Sequence, residues 1–187
     1  MTSDLHAHLR RRKPEKRRAR LVRRPRETLG SIADLSRQPQ PALLLDTNIY
    51  ILNASGRLPG TVAACLDRSR LFHCSVCLSE IAAGIANAAL TRGWSTIRDH
   101  YATVFASIPT SRLLVPDAAT WIDAGLVAGT LARLQDFQRE QRKECLNDAL
   151  IFLTAARAGL PVLTADRADY DLIQQLAPEG RFFSFDL

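Results

Sequence analysis

Short apolar runs that end in polar residues alternate with segments of helical periodicity along most of the chain. This pattern predicts strands that are each followed by a helix. The predicted strands cover residues 42–45, 70–76, 112–115, 161–164 and 181–186. The predicted helices cover residues 49–52, 61–68, 78–90, 94–107, 118–138, 145–158 and 171–176. Alternating strands and helices imply a parallel sheet with helices on both of its faces.

The first strand carries the strongest chemical signal. Its three leucines, residues 43–45, are followed at once by Asp46, Thr47 and Asn48. Ligands of open α/β sheets bind in the crevice outside the carboxyl ends of the strands. Asp46 is therefore predicted to be either the N-cap of the next helix or a metal ligand, and Asn48 is available as the cap in the second case.

Positive charge is concentrated near the N-terminus. Residues 10–26, called the basic arm below, contain eleven Lys/Arg residues and one acid, and thus carry +10, whereas the whole chain carries +6. The remainder is therefore mildly acidic, at −4. Like charges at this density do not support a core, so residues 1–40 are predicted to form a flexible extension. Nucleic-acid phosphate contact, a solvated tail, a partner-binding segment and sequence upstream of the true start all remain open.

Other features of the composition narrow the class of protein. No apolar run is long enough to span a membrane, and the charged N-terminus lacks the apolar region of a signal peptide. Cys74 and Cys77 have CxxC spacing without a second pair, whereas a zinc site needs four ligands. We therefore expect reduced thiols and a cytoplasmic protein.

Four acids occupy similar positions in the predicted elements. Asp46 and Asp166 follow strands, while Glu80 and Asp148 are predicted in the first turn of buried helices. If these side chains converge, their mutual repulsion requires protons or a hard cation. Oxygen ligands suit Mg²⁺ or Mn²⁺, and such an ion can polarise a phosphodiester and activate water.

The same positions resemble PIN-domain ribonucleases, most closely the VapC-like toxins of bacterial toxin–antitoxin pairs. The matching stretches are LLLDTN (43–48), SEIAAGI (79–85), NDALIFLTAA (147–156) and PVLTADRADYDLI (161–173). The resemblance implies a three-layer α/β/α domain over residues 41–187 with a central parallel sheet of four to five strands. Relatives often have Asn at the position of Asp166 and an acid at that of Asp169, so either could supply the fourth acid. Asp171 is assigned instead as the cap of the last helix.

The resemblance also implies a function. It indicates a Mg²⁺- or Mn²⁺-dependent endoribonuclease with a cognate antitoxin and a homodimeric state. The implied metal ligands are Asp46, Glu80, Asp148 and Asp166, with Asp169 as a weaker candidate. Asn48 and Thr164 would orient ligands or the attacking water. Two alternatives stay open: a non-catalytic RNA- or partner-binding module on this fold, and a nuclease that acts on DNA.

Overall fold

Five parallel strands form one central sheet. The structure is a computed structural model that describes residues 4–187, apart from the side chains at positions 36 and 37. The strands are β1 (Ala42–Leu45), β2 (Arg70–Cys74), β3 (Leu113–Leu114), β4 (Pro161–Thr164) and β5 (Arg181–Ser184). Their order across the sheet is β3-β2-β1-β4-β5, and every neighbouring pair is parallel. The predicted α/β class with a parallel sheet is therefore confirmed.

Helices connect the strands, as crossovers between parallel strands require. They are α1 (Leu5–Arg12), α2 (Thr47–Ala54), α3 (Gly60–Arg68), α4 (Ser75–Asn87), α5 (Trp94–Ser107), α6 (Ala118–Gln135), α7 (Arg139–Arg157) and α8 (Arg167–Leu176). Helices α6, α7 and α8 pack against one another, α7 also contacts β4 and β5, and α8 contacts β5. None of the helices in the described part of the chain is long and apolar enough to cross a membrane.

The core lies along the two central strands. Leu43 and Leu44 of β1 and Val162 and Leu163 of β4 are all fully buried. A strand whose residues are buried in succession is covered on both faces, which is the arrangement expected for the interior of a parallel sheet. Helix α7 supplies the largest share of the covering side chains, among them the buried Phe152. The buried residues of β1 and β4 therefore hold the polar residues at the ends of these strands in place.

Several helices begin earlier than the sequence predicts. Helix α4 starts at Ser75, and α7 starts at Arg139, because Gln138 and Gln141 form a reciprocal capping box around its first turn. The polar residues 139–144 therefore belong to the helix. Helix α8 likewise starts at Arg167, directly after Asp166. These shifts change the helical positions of two predicted site residues, Glu80 and Asp148, as described below.

The N-terminal extension lies against the domain, which the sequence did not predict. Its helix α1 packs on α6, and His8 of α1 is hydrogen-bonded to the buried Asp123 of α6 at 2.7 Å. Further along, Ser31 pairs with Ser184 at the outer edge of β5. Gly30 permits this close approach, since a Cβ atom there would lie 2.6 Å from the Phe182 carbonyl oxygen. The division into a flexible extension and a domain stays a prediction.

Candidate functional site

Asp46 stands at the carboxyl end of β1 and is 3% exposed. Its carboxylate accepts hydrogen bonds from the Thr47 backbone N–H at 2.7 Å, the Asn48 side-chain amide at 2.5 Å and the Thr164 hydroxyl at 2.6 Å. Asp46 is therefore the N-cap of α2, and the prediction that Asn48 takes this place is wrong. The carboxylate keeps the orientation that three donors impose on it, so the capping role and a ligand role are compatible.

Asn48 and Thr164 tie the ends of the neighbouring strands β1 and β4 together. The Asn48 amide donates to the Thr164 hydroxyl at 3.0 Å, and its oxygen accepts from the Ala165 backbone N–H at 3.0 Å. The Thr164 hydroxyl also accepts from the Asp166 backbone N–H at 2.8 Å. Both predicted orienting residues therefore contact Asp46 directly.

Glu80 reaches the same region from α4. The prediction that it lies in the first turn of this helix is wrong, because α4 begins at Ser75 and places Glu80 in the second turn. The Thr47 hydroxyl donates to its carboxylate, as does the Asn147 side-chain amide at 2.8 Å. Thr47 and Asn147 were missed as partners of Glu80, although each stands beside a predicted acid in the sequence.

Asp148 lies in the middle of α7. Its predicted position in the first turn is wrong, because α7 begins at Arg139. Its environment is acidic: the charges of Asp46, Asp166, Glu80 and Asp169 all act on it. The charges of four other acids therefore act on Asp148, despite the error in the helix boundary.

Asp166 caps α8 by accepting a hydrogen bond from the Asp169 backbone N–H at 3.0 Å. The prediction that Asp171 caps this helix is wrong. Asp171 is 1% exposed, inside the helix, and forms an ion pair with Arg24 of the basic arm at 2.6 Å. Asp169 is half-buried and lies 3.6 Å from the Arg23 guanidinium. Asp166 and Asp169 therefore both face the region of Asp148, and neither alternative for the fourth acid is eliminated.

The acids change one another's protonation. Burial raises the pKa of Asp46 to about 6, against the opposing hydrogen bonds from Thr164 and Thr47. Burial and then the charges of the neighbouring acids raise the pKa of Asp148 well above its usual range. Burial and the charge of Asp166 also raise the pKa of Asp169, although Arg23 opposes this. We call Asp46, Glu80, Asp148, Asp166 and Asp169 the acid cluster.

The chemistry of these donors is that of a hard-cation site. In the described residues, no Lys or Arg forms an ion pair with Asp46, Glu80 or Asp148. The Tyr170 hydroxyl is also buried beside Asp46, and the charges of Asp46 and Asp148 add to burial in raising the pKa of that hydroxyl. Oxygen donors with unbalanced negative charge fit Mg²⁺ or Mn²⁺. However, no three His, Cys, Asp or Glu side chains of residues 4–187 form a ready-made metal-binding group.

The cysteines do not take part in this chemistry as thiolates. All four are free and buried. Burial raises the pKa of the Cys74 thiol and, more strongly, that of Cys77, so both favour the protonated thiol rather than the thiolate that binds metals. Cys77 donates a weak hydrogen bond to the Leu45 carbonyl oxygen at 3.4 Å. Its role in the structure is packing beneath Asp46.

Comparison with known proteins identifies the fold. No protein-family model and no curated protein matches the chain. FitAcB from Neisseria gonorrhoeae matches with a TM-score of 0.56 and 18% identity, over 76% of this chain and 96% of the other. FitAB bound to an IR36 DNA fragment matches with a TM-score of 0.54 and 18% identity, over 76% and 94%. VapBC2 from Rickettsia felis bound to a DNA fragment from its promoter has a TM-score of 0.49 and 16% identity, over 78% and 99%.

These similarities define the class of fold. At such low identity, the matches to FitAcB and FitAB show a shared architecture and no more. The chain has the PIN-like α/β fold with a five-stranded parallel sheet that its sequence predicts.

Proposed function

We propose that this protein is a Mg²⁺-dependent endoribonuclease that acts as the toxin of a toxin–antitoxin pair. The observation that carries the proposal is the acid cluster, where four neighbouring carboxylates act on Asp148 and no ion-paired cation among the described residues compensates Asp46, Glu80 or Asp148. A packed interior does not retain such repulsion without a compensating partner. The fold class supports a nuclease, and the reduced buried cysteines agree with action in the cytoplasm.

Each residue has a proposed role. Asp46 and Asp148 would hold Mg²⁺, with Asp166 in direct or water-mediated contact and Asp169 as the weaker alternative. When bound, the ion stabilises negative charge on the phosphodiester and lowers the pKa of bound water. Glu80 would hold a second ion or position the attacking water by accepting its hydrogen bond. The expected products carry a 5′-phosphate and a 3′-hydroxyl.

Asn48 and Thr164 would act by orienting Asp46. Their hydrogen bonds fix both oxygens of that carboxylate relative to the ends of β1 and β4. Groups that orient a ligand typically change metal affinity or activity by about 10- to 100-fold when they are removed. Thr47 and Asn147 would position Glu80 in the same way.

The decisive experiment compares two Asp→Asn variants on a 5′-labelled RNA with Mg²⁺ and with EDTA. Asp148→Asn removes a proposed ligand, whereas Asp99→Asn removes a fully exposed carboxylate on α5 that pairs with Arg98. We expect cleavage to fall more than about 100-fold in the first variant and to stay unchanged in the second. Equal cleavage by Asp148→Asn and the wild type would refute the proposal. Mn²⁺ binding without any cleavage would favour a non-catalytic module.

We further propose a cognate antitoxin and a homodimer. The similar FitAB structure is bound to a DNA fragment, and this supports a DNA-binding partner protein for the present chain. Trp121 on α6 is 49% exposed, a large apolar surface for a side chain of an isolated chain. Size-exclusion chromatography of the chain alone and with the product of a neighbouring gene tests both points. A monomer that forms no complex would contradict them.

A further inference from the structure

The basic arm divides into cations that attach it to the domain and cations that remain available. Arg24 pairs with the buried Asp171 at 2.6 Å, and Arg12 pairs with Asp123 at 3.4 Å and with Glu179 at 2.6 Å. The charges of Arg12 and Arg24 are therefore neutralised by ion pairs with the domain. By contrast, Arg20 contacts only a neutral group among the described residues, the Gln135 side-chain oxygen at 3.2 Å.

Domain side chains hold the arm by its backbone. Arg133 donates to the Arg17 and Pro14 carbonyl oxygens at 3.0 and 2.9 Å. Gln135 donates to the Leu21 carbonyl at 3.1 Å, and Gln175 donates to that of Val22 at 3.1 Å. The backbone is thereby fixed on α6 and α8 without using the side chains of Arg20 and Arg23. Both side chains are exposed, and the charged group that Arg23 approaches is Asp169 at 3.6 Å.

Arg20 and Arg23 line a cleft of about 330 Å³ between the arm and the domain. We call it the arm cleft. Its other lining residues include Gln135 at the end of α6, Phe137, Gln141 on α7 and Leu172 on α8. Of these lining side chains, none is acidic. A cleft with two arginines and no lining carboxylate attracts an anion.

The arm cleft adjoins the acid cluster along two helices. On α7, Gln141 and Asp148 are seven residues apart and share one face, about 10 Å along the axis. On α8, Leu172 lies one turn beyond Asp169 on the same face. Arg23 connects the two regions, since it lines the cleft and lies 3.6 Å from Asp169. A nucleic-acid strand whose phosphates lay in the arm cleft would continue towards the acid cluster.

We propose that the arm cleft binds the phosphate backbone of the RNA, with Arg20 and Arg23 contacting phosphates adjacent to the one that is cleaved. This proposal rests on the proposed function for the identity of its ligand. Its physical reason is the charge of the acid cluster, which repels a polyanion unless positive charge lies beside it. Paired guanidinium groups suit this purpose because they donate several hydrogen bonds to phosphate oxygens.

The test measures binding separately from cleavage. Full-length Asp46→Asn protein, which we expect to bind RNA without cutting it, is titrated into fluorescein-labelled single-stranded RNA at several salt concentrations. Fluorescence anisotropy then compares Arg20→Gln/Arg23→Gln in this background with Arg10→Gln/Arg98→Gln. The control pair also removes two exposed arginines, and neither of them lines the arm cleft.

Each lost phosphate contact lowers the salt slope by about 0.7 for a single strand. The Arg20→Gln/Arg23→Gln variant should therefore lower the salt slope by about 1.4. If the two variants bind equally at 1 M salt, this change in slope corresponds to a loss of affinity of about 25-fold at 0.1 M salt. The control pair should change the affinity less than about 3-fold, since screening weakens distant charges. Equal losses in both pairs, or no RNA binding at all, would overturn the proposal.

Two further readouts keep the result interpretable. Arg20→Lys/Arg23→Lys preserves both charges, so it should keep the salt slope even if the Gln variant folds poorly, and a reduced slope would count against the cleft. RNA cleavage is measured separately, with Asp46 intact, and tests the proposed nuclease activity. Cleft-dependent binding without cleavage would refute the nuclease alone, whereas cleavage with an unchanged KM in the Gln variant would refute the cleft alone.

Discussion

Replacing Thr164 by valine removes one hydroxyl from the centre of the candidate site with almost no change in shape. Thr164 is fully buried at the end of β4. Its hydroxyl donates to Asp46 at 2.6 Å and accepts from the Asn48 amide at 3.0 Å and the Asp166 N–H at 2.8 Å. The substitution therefore breaks three hydrogen bonds at once, while the packing of the side chain is preserved.

The expected cost follows from these bonds. The lost bond to the Asp46 carboxylate is charge-assisted and contributes about 1.5–3 kcal/mol, and the Asp166 N–H left without its acceptor costs about 1–3 kcal/mol. Asn48 still has Asp46 as its partner, so its loss is small. Since the extra methyl group offsets part of the cost, we expect Thr164→Val to lower the free energy of unfolding by about 3 kcal/mol at pH 7.

Asp46 makes this cost depend on pH. Burial raises its pKa to about 6, so the carboxylate is largely ionised at pH 7 and largely protonated at pH 5. Below its folded pKa, the group no longer gains from a donor to its charged form. The Thr164 hydroxyl lowers this pKa, so its removal raises the pKa further and adds destabilisation as the pH increases. The loss should therefore be larger at pH 8 than at pH 5.

Urea denaturation measures the change, with Thr130→Val as a matched control. Thr130 is also a buried threonine, but its hydroxyl donates only to the Leu126 carbonyl of its own helix at 2.6 Å. That carbonyl keeps its place in the helix, so the control should lose less than about 1 kcal/mol. With a slope of about 2 kcal/mol/M, Thr164→Val should lower the urea midpoint by about 1.5 M. Equal midpoints in the two variants would refute the reasoning.

Two further predictions concern the acid cluster and the attachment of the basic arm. Because the neighbouring acids repel Asp148, Asp148→Asn should raise the melting temperature measured without metal. The same variant should lose the stabilisation by Mg²⁺, which in the wild type should reach about 2.7 kcal/mol at a Mg²⁺ concentration of about 100 times the Kd. A variant that Mg²⁺ stabilises as much as the wild type would contradict this prediction. Burial opposes ionisation of Asp123, but its bonds to Arg11 and His8 and the charge of Arg12 outweigh burial and lower its pKa. Stability from such a group is present above its unfolded pKa and is lost as the pH falls. The advantage of the wild type over Asp123→Asn in urea should therefore shrink from pH 6 to pH 3.5, and a constant or growing difference would contradict it.

The sequence predicts the sheet well because its signals are local. Strands β1 and β4 have the predicted bounds, since each is a short apolar run ended by residues that favour turns. The polar residues that follow these strands were therefore placed correctly at one edge of the sheet. Parallel pairing then brings Asp46 and Thr164 together without any further information.

Helix starts were less predictable because capping depends on geometry that the pattern does not contain. Residues 139–144 are polar and extend α7 beyond the core, so no apolar periodicity marks the true start. Near α8, three acids compete as caps, and the turn after β4 selects Asp166. The assignments of Asp148 to a first turn and of Asp171 to a cap failed for this reason.

The attachment of the arm could not be predicted because its partners are distant in sequence. Asp123 lies on the largely apolar α6 and Asp171 on the buried face of the amphipathic α8, and their counter-charges Arg12 and Arg24 come from a segment whose composition indicates no fold. A buried carboxylate without a local partner is the available signal, since it requires a cation from elsewhere in the chain. Asp171 was assigned to a cap, which removed the need for such a partner.

The basic arm and the acid cluster meet where Arg23 approaches Asp169. The domain without the arm is acidic, and its strongest local repulsion is at the acid cluster, where a nucleic acid would be rejected. Arg24 and its buried partner Asp171 fix the arm two residues along the chain from Asp169, and Arg23 then faces that acid. The attachment of the arm thus determines where the positive charge of Arg23 lies. Under the proposed function, an arm tethered at random would raise affinity for RNA everywhere on the surface, whereas this attachment would raise it beside the acids.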